Sequence, residues 1–200
     1  MMMSYDFYAF ISRMKYIHRW SLMRSTEREN VQEHSHMTAV LAHALGLLRR
    51  EVFHGEADPE HLAAIALFHD ATEIFTSDLP TPIKYRSEDI HAAYDEVEAG
   101  AAARLLGALP EGLRPAYAGL LEAHRDEAEY ELVRAADKLS AYIKCVEERK
   151  AGNREFLSAE QSTLRRLREM TLPEVDYFLT HFMPGFEKNL DELGALDEED

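Results

Sequence analysis

Apolar positions along the chain recur at three- and four-residue intervals, and no convincing strand alternation interrupts them. Residues 5–17 place Phe7, Phe10, Ile11 and Met14 on one helical face. A polar segment follows over residues 18–29. A second helix is predicted over about residues 31–52, with Asn30 as its N-cap. Asp58-Pro59 supplies a cap and a first-turn proline for a third helix, which continues to about Phe75. The run Thr76-Ser77-Asp78-Leu79-Pro80-Thr81-Pro82 is predicted to leave the helix, because its two prolines remove donors and fix the backbone. Further helices are predicted over about residues 88–106, 113–124, 129–150, 155–170 and 174–182, with breaks at Leu109-Pro110-Glu111-Gly112 and near Gly152. There is no internal repeat, low-complexity run or long linker. The expected architecture is an all-α single domain over residues 1–200, a bundle of about seven or eight helices.

Composition narrows the function. The 200 residues suffice for one real core, and 46% hydrophobic content is ordinary for a soluble globular protein. A net charge of −15 argues against nonspecific binding to duplex nucleic acid, which needs a basic face. Much of that charge lies at the end of the chain, in Glu187, Asp191, Glu192, Asp197, Glu198, Glu199 and Asp200, and the tail from about residue 188 is expected to be solvated or frayed. An acidic protein that binds an anionic substrate needs a local source of positive charge, and a metal ion supplies one. The lone Cys145 excludes an intrachain disulfide and fits a reducing compartment. Residues 1–10 lack the basic start and apolar run of a signal peptide. The longest uncharged stretch, residues 34–48, is too short and polar to span a bilayer. A cytoplasmic protein without a membrane partner is expected.

The most informative chemistry is His69-Asp70, set within the apolar run from Leu62 to Phe75. An imidazole and a carboxylate buried there need a partner, and a divalent cation is the obvious one. Neighbours on a helix diverge by roughly 100°, so the ion would sit between their two directions. His34, in Asn30-Val31-Gln32-Glu33-His34-Ser35, and Asp137, in Ala135-Ala136-Asp137-Lys138-Leu139, would close the site from facing helices. Two nitrogens and two oxygens suit Co, Mn, Fe, Zn or Mg, and the sequence does not choose among them. The order His…His-Asp…Asp resembles that of the HD-domain metal-dependent phosphohydrolases.

The flanks sharpen the resemblance. His18-Arg19-Trp20 with Leu22-Met23-Arg24, Glu29-Asn30-Val31-Gln32-Glu33-His34-Ser35, His69-Asp70-Ala71-Thr72-Glu73, Ser77-Asp78-Leu79-Pro80-Thr81-Pro82-Ile83-Lys84-Tyr85 and Ala136-Asp137-Lys138-Leu139-Ser140-Ala141-Tyr142 are together similar to the bacterial 5′-deoxynucleotidases. The resemblance runs through nearly the whole chain. It implies a homodimeric enzyme of nucleotide metabolism that removes phosphate from deoxyribonucleoside 5′-monophosphates. It also implies one divalent metal on His34, His69, Asp70 and Asp137, with His34, Asp70 and Asp137 close to the substrate as well. Glu73 would activate water. Arg19 would act on the phosphate, and Trp20 would meet the nucleotide. Asp78, Leu79, Pro80 and Thr81 would line the sugar and phosphate pocket. A second metal on His91 or His124, as in some HD proteins, is not expected.

Physical arguments stand beside the resemblance. Glu73, three and four residues beyond Asp70 and His69, shares their helical face and could take a proton from water. Arg19 suits phosphate through its planar fork of donors. Trp20, the only tryptophan, either contacts sugar or base or anchors the first helix; in contact, it could exclude a ribose 2′-hydroxyl. Asp78 either accepts from the sugar 3′-hydroxyl or caps its own turn. Lys84 and Arg24 are weaker phosphate candidates. Thr72, Ser77 and Cys145 lack the arrangement of an activated nucleophile. The competing functions are another HD phosphohydrolase activity, on triphosphates, cyclic nucleotides or alarmones, and a non-catalytic nucleotide sensor. A sensor would be expected to have lost a ligand or Glu73, and neither is lost here.

Overall fold

Capping and proline placement set the helix starts, and tertiary contacts set several of the ends. The computed structural model describes residues 4–84, 86–122 and 128–194, without the side chains of residues 81, 82, 128 and 129. In chain order its helices are α1 (Phe7–Ile11), α2 (Val31–Leu47), α3 (Pro59–Phe68), α4 (Glu73–Thr76), α5 (Thr81–Lys84), α6 (Glu88–Gly107), α7 (Arg114–Leu121), α8 (Ala128–Lys150), α9 (Leu157–Glu169), α10 (Pro173–His181) and α11 (Met183–Phe186). Among the described residues there is no strand, only an isolated antiparallel bridge between His18 and Asn30. The fold is all-α, as predicted: α2, α3 and α6 to α10 supply the long helices, and α1, α4, α5 and α11 are short turns between or beside them. No helix among the described residues is long and apolar enough to cross a membrane.

Asn30 caps α2 as expected. Its side chain accepts from Glu33 N at 3.0 Å, while Glu33 Oε2 accepts from Asn30 N at 3.1 Å, a reciprocal capping box. The predicted end near Val52 is met, but the last turn, Leu48–Val52, winds as a π-helix. Asp58 caps α3 by accepting from His61 N at 3.0 Å, with Pro59 in the first turn. Where α2 and α3 meet, a side chain on Gly46 would come within 3.0 Å of Pro59 Cα and Leu62 Cδ1, so glycine is what lets the backbones close.

Several predicted bounds are corrected. The helix expected over residues 5–17 is α1 followed by a separate 3-10 turn, Met14–Tyr16; Ser12 Oγ bonds the Ala9 carbonyl, the local competition that ends such helices. The third helix stops at Phe68 rather than Phe75, and residues 69–72 form a turn. The segment expected to stay non-helical as far as Pro82 does so only over residues 77–80. Thr81 opens the one-turn helix α5, where a first-turn proline removes no needed donor. The helix expected to end at His124 is described only to Leu121; His124 lies outside the described residues, as do Tyr85 and residues 195–200. Residues 188–194 are solvent-exposed; there Lys150 Nζ donates to the Phe186 and Lys188 carbonyls, and Asn189 Oδ1 accepts from Asp191 N and Glu192 N.

The core lies in two clusters. One joins α2, α3, α8, α9 and α10 through Leu41, Leu45, Leu62, Leu139, Leu167 and Phe178. The other gathers Phe7, Met14, Ala71, Leu105 and Leu121 from α1, α6, α7 and the turn after α3. His34 and Asp137 sit on helices of the first cluster, and the 69–72 turn enters the second.

Candidate metal centre

The break after Phe68 is what brings His69 and Asp70 together. Ala71 N donates to Phe68 O and Glu73 N to Asp70 O, both at 3.0 Å, so the backbone tightens to three-residue spacing. His69 Nε2 then lies 3.1 Å from Asp70 Oδ2. Glu73 stays close because α4 begins at that residue. Its proximity comes from this turn rather than from a continuous helical face.

His69 Nδ1 is 2.7 Å from the Ala66 carbonyl oxygen. A carbonyl only accepts, so Nδ1 carries the proton and Nε2 of the neutral ring is a bare lone pair. That Nε2 is buried and makes no aligned hydrogen bond. A lone pair facing a carboxylate in an enclosed space is unstable unless a cation lies between them. Without a metal a proton takes that place: burial lowers the His69 pKa, but Asp70 and Asp137 outweigh it and push it up to about 9.

His34 is fully buried on α2. Its Nδ1 is 3.0 Å from Ser140 Oγ of α8, and its Nε2 is 3.1 Å from Asp137 Oδ1 and 3.6 Å from Asp70 Oδ2. Nε2–H donates to Asp137 Oδ1; with a metal bound, the tautomer that donates Nδ1–H to Ser140 would turn the Nε2 lone pair toward both carboxylates. Burial, and then Arg19, holds the His34 pKa below its usual value. Burial raises the Asp70 carboxyl, but His69, His34 and Arg19 more than offset it and leave it well below the carboxylate range. Asp137 is likewise held ionised against burial by the His34 hydrogen bond and by both histidine charges.

Ligating atoms of His34, His69 and Asp70 lie within 4.8 Å of one another, a spacing that fits one ion. Asp137 adjoins that group through His34 Nε2. Two imidazole lone pairs and the Asp70 carboxylate, with His69 Nε2 unpartnered, are a donor set that fits a divalent metal, and Asp137 lies outside that 4.8 Å group.

Glu73 is buried, and its Oε2 has no hydrogen-bond partner. Burial, then Asp70 and Asp78, push its pKa up to about 10. Arg19 Nη1 reaches Asp70 Oδ2 at 3.3 Å, and Arg19 Nε reaches Glu29 Oε2 at 3.1 Å. Burial lowers the Arg19 pKa, but Asp70, Asp137, Glu29 and Asp78 raise it further above its usual value. Trp20 donates from Nε1 to the same Glu29 oxygen at 2.9 Å and packs on Phe156 with ring centroids 5.2 Å apart. It therefore anchors on the 154–156 turn and not on the first helix.

Asp78 is half-buried and raised by burial, with Arg19, Asp70, His34 and the Trp20 backbone N–H acting on it. Ser77, just before it, has φ 61 and ψ 164, a backbone region that side chains disfavour. Leu79 and Pro80 are half-buried in the same segment, where the Pro80 carbonyl accepts from Ile83 N and Lys84 N. The Thr81 side chain lies outside the described residues. Lys84 pairs with Glu98 at 3.0 Å and lies 4.3 Å from the centroid of the Tyr94 ring. Arg24 lines a groove with Asn153 and Arg154 that none of His34, His69, Asp70 and Asp137 lines. His91 pairs with Asp95 at 3.1 Å. Glu29 and Ser140 were not singled out in the sequence, although both lie inside quoted motifs, because contacts across a loop or between helices leave no periodic signal.

With this geometry in place, the comparisons are specific. The model of the YfbR-like 5′-deoxynucleotidase family matches residues 6–186. A 5′-deoxynucleotidase of Erwinia tasmaniensis is 46% identical over 188 residues, covering 94% of this chain and 95% of the relative. One from Yersinia pestis is 44% identical over 195 residues, covering 97% and 98%. Among solved structures, an HD-domain phosphohydrolase from Listeria innocua superposes with a TM-score of 0.79 at 25% identity, covering 90% of this chain and 88% of that one. The cyanophage S-2L HD phosphohydrolase, solved with dA and one catalytic Zn2+ ion, shares the fold with a TM-score of 0.62 at 19% identity, covering 90% and 96%. The chain belongs to the YfbR-like 5′-deoxynucleotidase family of HD-domain phosphohydrolases.

Proposed function

We propose that this chain is a metal-dependent 5′-deoxynucleotidase that hydrolyses deoxyribonucleoside 5′-monophosphates to deoxyribonucleosides and phosphate. His34, His69, Asp70 and Asp137 would hold one divalent ion. Bound there, the ion would lower the pKa of water, offset charge on the phosphoryl oxygens and, by neutralising Asp70, return Glu73 to its ionised form. Glu73 holds the proton taken from water at Oε2, the buried oxygen left without a partner. Arg19, with donors beyond those given to Glu29 and Asp70, binds the phosphate. Trp20 packs against the sugar and leaves no room for a 2′-hydroxyl. Asp78 accepts from the 3′-hydroxyl, and Leu79, Pro80 and Thr81 complete that wall. A homodimer in the cytoplasm is part of the same proposal; the dimer follows from family likeness and the compartment from the lone cysteine.

Two buried atoms without hydrogen-bond partners, His69 Nε2 and Glu73 Oε2, on either side of Asp70, support this best. A cation would satisfy the first, and a water or substrate proton the second. The test is phosphate release from every deoxy- and ribonucleoside 5′-monophosphate, and from di- and triphosphates, after chelation and reloading with a panel of divalent ions. Deoxynucleoside monophosphates should turn over best, and only with metal. Metal-independent turnover, or release of triphosphate from triphosphates alone, would overturn the assignment. Light scattering at assay concentration tests the dimer.

A further inference from the structure

Residues 17–30 form a loop closed on itself. Arg19 N donates to the Glu29 carbonyl at 3.0 Å, and Val31 N donates to Ile17 O at 2.9 Å. The loop carries two consecutive large side chains, Arg19 and Trp20. On extended backbone such neighbours point to opposite sides. Trp20 has φ 60, a left-handed conformation that non-glycine residues disfavour. Something must hold the two side chains together against that preference.

That group is Glu29. A single oxygen, Oε2, accepts from Arg19 Nε at 3.1 Å and from Trp20 Nε1 at 2.9 Å. Arg19 and Glu29 are each 13% exposed, so the pair is largely withdrawn from water. Asn30, which follows directly, caps α2, and His34 lies one turn further on. The helix start that presents His34 to the metal group thus also presents the carboxylate that aims Arg19 and Trp20. Arg19 in turn reaches Asp70 at 3.3 Å. Among the described residues, Glu29 makes its side-chain hydrogen bonds to Arg19 and Trp20 and none to His34, His69 or Asp70.

We propose that Glu29 is a positioning residue that locks Arg19 and Trp20 into one substrate-reading unit and thereby sets the preference for deoxyribo- over ribonucleotides. This rests on the nucleotidase activity proposed above. Trp20 excludes a 2′-hydroxyl only while its indole is held in one place, and Glu29 is the polar contact that holds it. A carboxylate accepts from both donors at once. A glutamine can present its one amide oxygen to both donors, but without the negative charge that pairs with the Arg19 guanidinium, so the shared contact weakens.

The test uses full-length Glu29→Gln and Glu29→Ala at saturating Mn2+, with kcat and KM measured for dAMP and AMP. Trp20 is the only tryptophan, so its fluorescence reports the indole directly. The dAMP-to-AMP ratio of kcat/KM should fall on the order of 10-fold in Glu29→Gln and approach 10²-fold in Glu29→Ala, the scale of a misplaced binding group. The ratio should fall because AMP gains relative to dAMP as the indole yields, and tryptophan emission should shift in both variants. If Glu29→Ala does not fold, the isosteric Glu29→Gln carries the test. A ratio within twofold of the parent in Glu29→Gln, or an equal fall for both substrates, overturns the role. Trp20→Ala serves as the reference: if it lowers the ratio and the Glu29 variants do not, only the Glu29 inference fails. If the parent hydrolyses no deoxynucleotide, the proposed function and this role fail together.

Discussion

Glu148 should be worth about 2 kcal/mol of folding stability at neutral pH, and that contribution should vanish in acid. It lies on α8, 1% exposed, beneath the far end of the loop that carries Arg19 and Trp20. Its two oxygens accept from Thr26 N at 2.8 Å, Thr26 Oγ1 at 2.7 Å, Asn153 Nδ2 at 2.8 Å and Lys144 Nζ at 2.7 Å, with a weaker contact from Glu27 N at 3.3 Å. All of these partners are donors. Burial raises the pKa, but the Lys144 hydrogen bond and those from Thr26 and Asn153 outweigh it and bring the group from 4.5 down to about 2. Each unit is about 1.4 kcal/mol, which sets a ceiling of roughly 3 kcal/mol; screening by nearby solvent reduces it to about 2.

The sign follows from the direction of the shift. A carboxyl held low in the folded state stabilises fully above its unfolded value of 4.5, and that stability drains away as pH falls from there toward about 2. The perturbation is Glu148→Gln, which keeps the volume but faces donors with an amide N–H2 and leaves the buried Lys144 ammonium without its anion. Urea unfolding of chelated protein from pH 7 to pH 3 is the assay, with chelation removing metal linkage. The parent and variant curves should lie about 2 kcal/mol apart at pH 7 and less than about 1 kcal/mol apart at pH 3, closing fully only toward about pH 2. A gap under about 0.5 kcal/mol at pH 7, or one that stays constant with pH, would refute the reasoning.

Three other outcomes are expected. Glu73→Gln should lose on the order of 10²- to 10⁴-fold in kcat while still binding metal by calorimetry; because the Glu73 pKa is raised to about 10, metal-free parent should lose stability from pH 4.5 upward, and Glu73→Gln should be the more stable protein at pH 9 by thermal melting. Ser140→Ala removes the partner that fixes the His34 ring at 3.0 Å and should weaken metal affinity about 10- to 100-fold by competition with a chelating dye, with little change in melting temperature of the metal-free form. Gly46→Ala places a methyl 3.0 Å from Pro59 Cα, and should cost about 1–3 kcal/mol in urea unfolding without altering kcat.

Much of this fold could be read from the chain because its helix starts are local events. Asn30 with Glu33, and Asp58 with Pro59, are caps that work within four residues, and both appear where the sequence placed them. The helix ends were less legible. Ala71-Thr72-Glu73-Ile74-Phe75 contains no glycine or proline, and nothing local forbids the helix from running to Phe75. It stops at Phe68 because distant groups claim the next residues: Ala71 packs into the second core cluster, Phe75 lies against Phe10, and Arg104 lies 4.4 Å from the Phe75 ring centroid. The same break turns His69 and Asp70 toward one point. The chemistry of the pair is plain in the sequence, while the turn that makes it usable depends on contacts with α1 and α6, distant in the chain.

Strain is distributed along the chain in a way that bears on how the site works. Of the described non-glycine residues with positive φ, Trp20 and Ser77 flank the metal group from opposite segments. They are also linked, since the Trp20 backbone N–H acts on Asp78, the residue after Ser77. Each such conformation costs of order 1–3 kcal/mol and persists only where its surroundings over-determine it. Trp20 is held by Glu29 and Phe156, and the segment after Ser77 by the start of α5. A flexible loop would reach the same positions without that cost, but would have to be ordered by each substrate. Holding the indole and the carboxylate in place beforehand moves the ordering cost from binding into folding. Selection against a single extra hydroxyl needs that rigidity, because a wall that yields cannot exclude.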